Sequence, residues 1–379
     1  MTHTERFRLI IWLPAMVSLF AGCREENVIF IPEEVPTGEP QFTSVAGFYL
    51  LNEGNMGTNK ASLDRYDYRT ATLTRNIYAQ ANPDVPKELG DVGNDLRSYG
   101  NRLYAVINGS NKVEVMRLND CRRIGQVDIP NCRQVAFHGG YAYVTSYAGP
   151  VLIDEDYAQL GYVAKVDTAT LRVVARCTVG FQPDGIAVSG ERLYVANSGG
   201  YRVPNYENTL SVIDIATFTE IERVPVAINL SQVTADRQGK IWVSSRGDYI
   251  EHGSGLFCYD ARKHRLEKSF DLPVERFWLK GDSLYTLSSG EYEPGGGAPV
   301  YGIVDTRTLS VLTRCFIADG AESAIRHPYG LAVNPVTGDI YVTDARDFVN
   351  PGRLFSFTPE GEMMWQVRTG DIPTRITFY

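Results

Sequence analysis

Short apolar runs separated by polar turns recur along most of the chain. The clearest unit spans Gln182 to Asp214. An apolar run, Ile186–Val188, meets a tight Ser189-Gly190-Glu191 turn. A second run, Leu193–Ala196, ends at Asn197; a long loop follows, and a third run, Leu210–Ile215, closes the unit. Alternating runs bounded by Gly, Asn, Asp and Ser predict β-strands joined by compact reversals. The unit parses into four strands, A to D: Gly185–Val188, Leu193–Ala196, Leu210–Ile215 and a stretch near Glu220–Val226.

The aromatic residue that opens strand B marks the repeat. It recurs as Tyr49, Tyr104, Tyr143, Tyr194, Trp242, Tyr285 and Tyr341, seven copies with a mean spacing of roughly 49 residues, which is the range of four-stranded propeller blades. No sustained helical periodicity interrupts the copies. The prediction is an all-β, seven-bladed β-propeller with four-stranded antiparallel blades over residues 45–379. The first unit begins at Ala46-Gly47-Phe48 with no strand A before it. The last stretch, Asp371 to Tyr379, reads as an orphan strand A like Gln182–Val188. The C-terminal strand is therefore predicted to complete the first blade, which removes an open edge.

Strand direction sorts the loops. A–B and C–D turns share one face and are short. B–C loops share the other face and include every long insertion: Glu53–Lys60, Tyr147–Gly161, Ser198–Asn208, Arg246–Ser254, Gly290–Pro299 and Ala345–Pro351. Loops carry function where a rigid scaffold positions them, so this face is the candidate binding site. Its first half offers Asn52, Glu53, Asn55, Asn108, Tyr147, Asp154 and Asp156. Its second half offers Asn197, Tyr201, Tyr206, Arg246, Asp248, Tyr249, Glu291, Tyr292, Asp344, Arg346 and Phe348. Tyr, Gly and Asn with sparse charges suit a recognition surface of rigid amphipathic rings and adaptable hydrogen bonds. Taken singly, each of these residues also fits a blade cap or a turn.

Composition narrows the function. Twenty-two Tyr and 35 Gly among 379 residues fit many strands and many turns. A net charge of −8 without Lys/Arg clusters excludes a nucleic-acid partner. No phosphate loop, nucleophile elbow or HExxH occurs. Six scattered Cys without a CxxC pair do not make a zinc site. An extended strand between Cys121 and Cys132 would hold them roughly 30 Å apart, so buried free thiols are expected. No cofactor is required. Asp154-Glu155-Asp156 offers hard oxygen donors for a structural Ca²⁺, without the spacing of a helix–loop–helix calcium loop. Asn52, Asn197 and Asp344, at matching positions after strand B, leave an axial metal open. His327 is expected to serve the D–A loop.

The N-terminus carries a separate signal. Arg6 and Arg8 precede an apolar run, Leu9–Phe20, too short to span a bilayer comfortably. It ends in Leu19-Phe20-Ala21-Gly22-Cys23, which resembles a bacterial lipoprotein signal and implies lipidation of Cys23. Residues 1–22 are then a signal peptide. Residues 23–44, rich in Glu, Pro and Gly, form a flexible tether.

Tyr194-Val195-Ala196-Asn197 followed by Asn208–Asp214 resembles the YVTN repeat of YncE-like propellers. Phe48–Gly57, followed by Ala61-Ser62-Leu63, resembles the opening of Bacteroidetes surface lipoproteins, a group that includes the BtuG-type vitamin B12 capture proteins. The resemblance implies a monomeric, non-enzymatic lipoprotein exposed at the outer-membrane surface. It implies cobalamin or a related corrinoid as ligand, passed to a BtuB-like TonB-dependent receptor. A metal-dependent propeller hydrolase or lactonase and a protein-interaction scaffold stay open as alternatives.

Overall fold

The computed structural model describes residues 33–85 and 88–379; the expected signal peptide and Cys23 lie outside the described residues. The fold is a seven-bladed β-propeller. Six sheets have four sequential antiparallel strands and one has five. Blade 4 consists of Pro183–Ser189, Arg192–Asn197, Thr209–Asp214 and Thr219–Pro225; the first two strands extend the runs read from sequence by one or two residues, and the last two lie one residue earlier. All seven aromatic anchors lie in strand B.

Blade 1 combines both ends of the described chain. Pro373–Phe378 pairs with Gly47–Asn52, Phe48 opposite Phe378. The Ala46 amide donates to the Tyr379 carbonyl at 2.8 Å, and the Tyr379 amide donates to Gly47 at 3.0 Å. Blade 1 also gains a strand that sequence reading had assigned to the tether. Glu34–Pro36 pairs with Thr72–Thr74. Val35, opposite Leu73, packs against the blade 7–blade 1 core, and this burial holds an otherwise polar stretch on the edge.

Each blade lies between two others, so strand B is buried on both faces, as in Arg102–Ile107 and Ile340–Asp344. That is why these runs are continuously apolar rather than alternating. Strand D borders solvent and alternates, as in Arg172–Thr178. The core is correspondingly divided into seven apolar clusters, one per blade–blade interface. The first strands of successive blades touch in a closed ring around the axis.

Turn chemistry recurs with the blades. The C–D turns of blades 3, 4 and 6 carry Asp167, Asp214 and Asp305, each accepting from the amide of a Thr three residues on, at 2.8 Å. The next residues, Leu171, Phe218 and Leu309, adopt positive φ. These aspartates fix the hairpins by local side-chain-to-backbone bonds.

Candidate functional site at the propeller axis

The innermost strands determine the site. In six blades strand A carries a β-bulge near its start, where the pairing with strand B skips. A bulge re-aims side chains without ending the strand. Asn94, Arg133, Gln134, Asp184, Tyr329 and Thr374 sit at these bulges and line a cavity of about 450 Å³. Blade 6 is regular and contributes Glu275 and Arg276. The approach is close enough to demand glycine next to two bulges. A Cβ on Gly185 would lie 2.3 Å from the Ser231 carbonyl oxygen, and one on Gly330 would lie 2.4 Å from that of Thr374.

The floor is charged. Asp184 is buried and accepts from Arg246 Nη2 at 2.5 Å, with Arg133 Nε at 3.5 Å and Gln134 Nε2 at 3.4 Å. Burial alone would raise this carboxyl, but Arg133 and Arg246 outweigh it and hold the group well below the usual carboxylate range. Glu53 moves the opposite way. Its burial raises the carboxyl, only partly offset by the hydrogen bond from Tyr329 Oη at 2.8 Å and by Arg276. Burial and the neighbouring Arg276 charge bring Arg375 down to about 10, against the pull of Asp95, whose carboxylate lies 3.7 Å away. Glu275 accepts from both Ser288 and Ser289 hydroxyls. Arg276 has no carboxylate ion-pair partner among the described residues and stands 5.5 Å from the Tyr329 ring centre. A smaller cavity of about 150 Å³, lined by Asp95, Phe277 and Trp278, shares Arg276 and Arg375 and continues the void along the inner strands.

Tyrosines form the wall. Tyr147, Tyr201, Tyr249, Tyr292 and Tyr329 come from five successive blades, 3 to 7. Tyr147 and Tyr201 meet edge to face at 6.3 Å, as do Tyr249 and Tyr292 at 5.3 Å. Arg133 stacks over Tyr147 at 4.8 Å.

Six residues singled out from sequence line this cavity: Glu53, Tyr147, Tyr201, Arg246, Tyr249 and Tyr292. The other loop-face candidates lie outside its lining. Asn52 donates to Ser62, and Asn197 to Thr209 and Ser211, inside their own blades. Asp344 accepts from the His327 and Arg346 amides. Asn197 and Asp344 bond to groups at their own blade ends, Asn52 does so through its amide nitrogen alone, and none of the three lines the cavity; His327 lies in the D–A loop, as expected. Asn108 donates to the Cys132 carbonyl and to Asn131, tying blade 2 to blade 3. Asn55 donates to the Phe348 carbonyl. Phe348 packs on His327 and Tyr329, behind the cavity wall. Arg346 donates to Pro351, and Glu291 lies 3.3 Å from the His327 ring. Asp154 and Asp248 close their loops on local amides. Asp156 is exposed, and Tyr206 is half-buried in its own loop.

Sequence reading missed the strand-A residues, above all Arg133, Asp184, Arg276, Tyr329 and Arg375. A signal was present. Pro183-Asp184-Gly185, Pro328-Tyr329-Gly330 and Pro373-Thr374-Arg375 align as strand starts, and the column after the proline changes chemistry where a pure turn would keep it.

No curated protein matches the chain. Among solved structures it is similar to a quinonprotein alcohol dehydrogenase-like protein from Bacteroides thetaiotaomicron VPI-5482. The TM-score is 0.57 at 12% identity, covering 88% of this chain and 78% of that one. It is also similar to the hydrazine synthase of Kuenenia stuttgartiensis, with TM-score 0.53 and 16% identity over 70% of this chain and 76% of that one. For the computationally designed Ika8 protein the values are 0.54 and 10%, over 90% and 92%. At such identities the likeness shows the fold alone. The family described as a domain of unknown function, DUF5074, matches residues 46–356. That match runs from strand B of the first blade into the last one and takes in most of the cavity wall: this chain belongs to the DUF5074 family.

Proposed function

We propose that the protein is a non-enzymatic binding lipoprotein of the bacterial outer-membrane surface. It captures cobalamin or a related corrinoid on the long-loop face and delivers it to a TonB-dependent receptor. The observation that carries this reading is the arc of five tyrosines from five successive blades around a polar axial cavity. Tyrosine gives large contact area at low ordering cost, with a hydroxyl to match peripheral amides. A corrinoid is broader than this cavity, so it would lie across the mouth with its edge groups reaching in. The lipoprotein signal and the resemblance of Phe48–Gly57 to surface lipoproteins support the location and the corrinoid. Exposed apolar loop tips, Met56, Ile153, Ile250 and Val349 among them, support docking to a partner protein on the same face.

Calorimetric titration of the full chain with cyanocobalamin tests the reading, with Tyr249→Ala as the companion variant. Saturable heat, weakened by the substitution, is expected. No heat at micromolar protein would remove the corrinoid from the proposal.

A further inference from the structure

The cavity floor holds four guanidinium groups, Arg133, Arg246, Arg276 and Arg375, against three carboxylates, Glu53, Asp184 and Glu275. The carboxylates are already engaged. Asp184 serves Arg133 and Arg246, Glu275 serves two serines, and Glu53 accepts from Tyr329. Arg375 reaches out of the cavity toward Asp95 and donates to the Asn94 carbonyl at 3.3 Å. Arg276 is left with an aromatic ring beside it and no acceptor among the described residues. A planar fork of donors in a half-buried cavity, next to a second guanidinium, is poised for bidentate contact with an oxyanion. The surrounding protein carries a net charge of −8, so this positive centre is a local feature of the axis and not the edge of a basic surface.

We infer that the floor of the axial cavity is an oxyanion site, in which Arg276, with the charge of Arg375 beside it, takes a carboxylate or phosphate group of the ligand. The inference rests on the cavity being the ligand site and not on the ligand being a corrinoid. The ligand is thereby an organic anion whose charged end enters the axis and whose body lies against the tyrosines. Arg276 forms no ion pair within the floor, and its charge offsets only part of the cost of burying Glu53 and Asp184, so its main contribution is to binding and not to folding.

The test titrates the full chain with inorganic phosphate and, separately, with citrate, at constant ionic strength set with chloride. Heat and thermal midpoint are both read. Saturable binding of at least one probe is expected, and the better probe tells phosphate from carboxylate chemistry. Arg276→Met should weaken that probe by about tenfold or more, the effect of losing a charge-assisted hydrogen bond, while leaving the unliganded midpoint unchanged or raised. Arg276→Lys should fall between the two, and Arg117→Met, on the opposite face, should bind as the parent does. Absence of saturable binding, undiminished binding to Arg276→Met, or failure of that variant to fold would each overturn the inference. Cyanocobalamin in a parallel titration separates the two readings. Anion binding without cyanocobalamin binding leaves the oxyanion site standing and removes the corrinoid; the reverse removes the oxyanion site alone.

Discussion

Asp184 and Glu53 share one cavity and respond to it in opposite directions. Asp184 is flanked by Arg133 and Arg246, so its folded carboxyl titrates below the unfolded one. Its contribution to stability is complete above the ordinary carboxylate range, about pH 4, and is lost as pH falls through the folded value. Asp184→Asn leaves two buried guanidiniums without their counter-charge and is expected to cost about 3–5 kcal/mol of unfolding free energy near neutral pH. Denaturant titration of both proteins measures it, and the parent's loss on acidification should be shallower in the variant. Glu53 titrates above its unfolded value. Its contribution is full below about pH 4 and disappears as pH rises through the folded value. Glu53→Gln is therefore expected to equal or exceed the parent in stability near neutral pH, by the same titration. Thiol chemistry is a third residue-scale outcome. Cys121, Cys132, Cys177 and Cys258 are buried and Cys315 is exposed; burial pushes the first two thiols up to about 12. Of these five, only Cys315 should react with an aromatic disulfide in the folded protein, and all five after denaturation.

At the scale of the strand, the inner edge does what the loops were expected to do alone. A bulge turns the start of strand A toward the axial cavity, and a glycine beside it lets the neighbouring blade approach. Gly185 lies beside the Ser231 carbonyl without a positive φ, so the constraint is space and not backbone conformation. Gly185→Ala must push two inner strands apart and is expected to destabilise by about 1–3 kcal/mol, measured as a shift in denaturant midpoint at unchanged slope. The strand itself was legible. Leu193–Ala196 reads as strand B because a short apolar run is bounded by turn residues, and its burial on both faces accounts for the run being continuous. Glu53, Tyr147 and Tyr249 were legible because they stand in long loops on one face. Arg276 and Arg375 were not, because each is a single charge inside a short strand. Their proximity arises from blades roughly 100 residues apart in sequence, a relation that no local pattern carries. Asp184 was visible as part of a turn, but its two arginines come from the neighbouring blades, and only closure of the ring brings them to it.

At the scale of the whole molecule, stability is distributed over seven interfaces that close on themselves. Two of the seven clusters, those flanking blade 1, join residues from opposite ends of the described chain. Removal of residues 373–379 strips blade 1 of its inner strand, leaves Gly47–Asn52 as a long apolar edge, and breaks the ring. The truncated chain is expected to lose its single cooperative thermal transition and to aggregate, as read by circular dichroism melting and size-exclusion chromatography. The ring was foreseen from the unpaired first unit and the orphan final strand. The fifth strand of blade 1 was not, since Glu34-Val35-Pro36 has one apolar residue and becomes a strand only because Thr72–Thr74 offers it an edge.

That small strand has a mechanical consequence. Traction on the chain ahead of Glu33 reaches the propeller through three residues zipped to the outer rim of blade 1. They peel one bond at a time, whereas the closing strand lies four strands further in, paired with Gly47–Asn52 and packed between the first strands of the neighbouring blades. Each residue released from that strand adds about 3.3–3.6 Å of chain before load reaches the ring of blades. Under load from that side the outer strand is expected to release first, with the ring and its cavity keeping their shape.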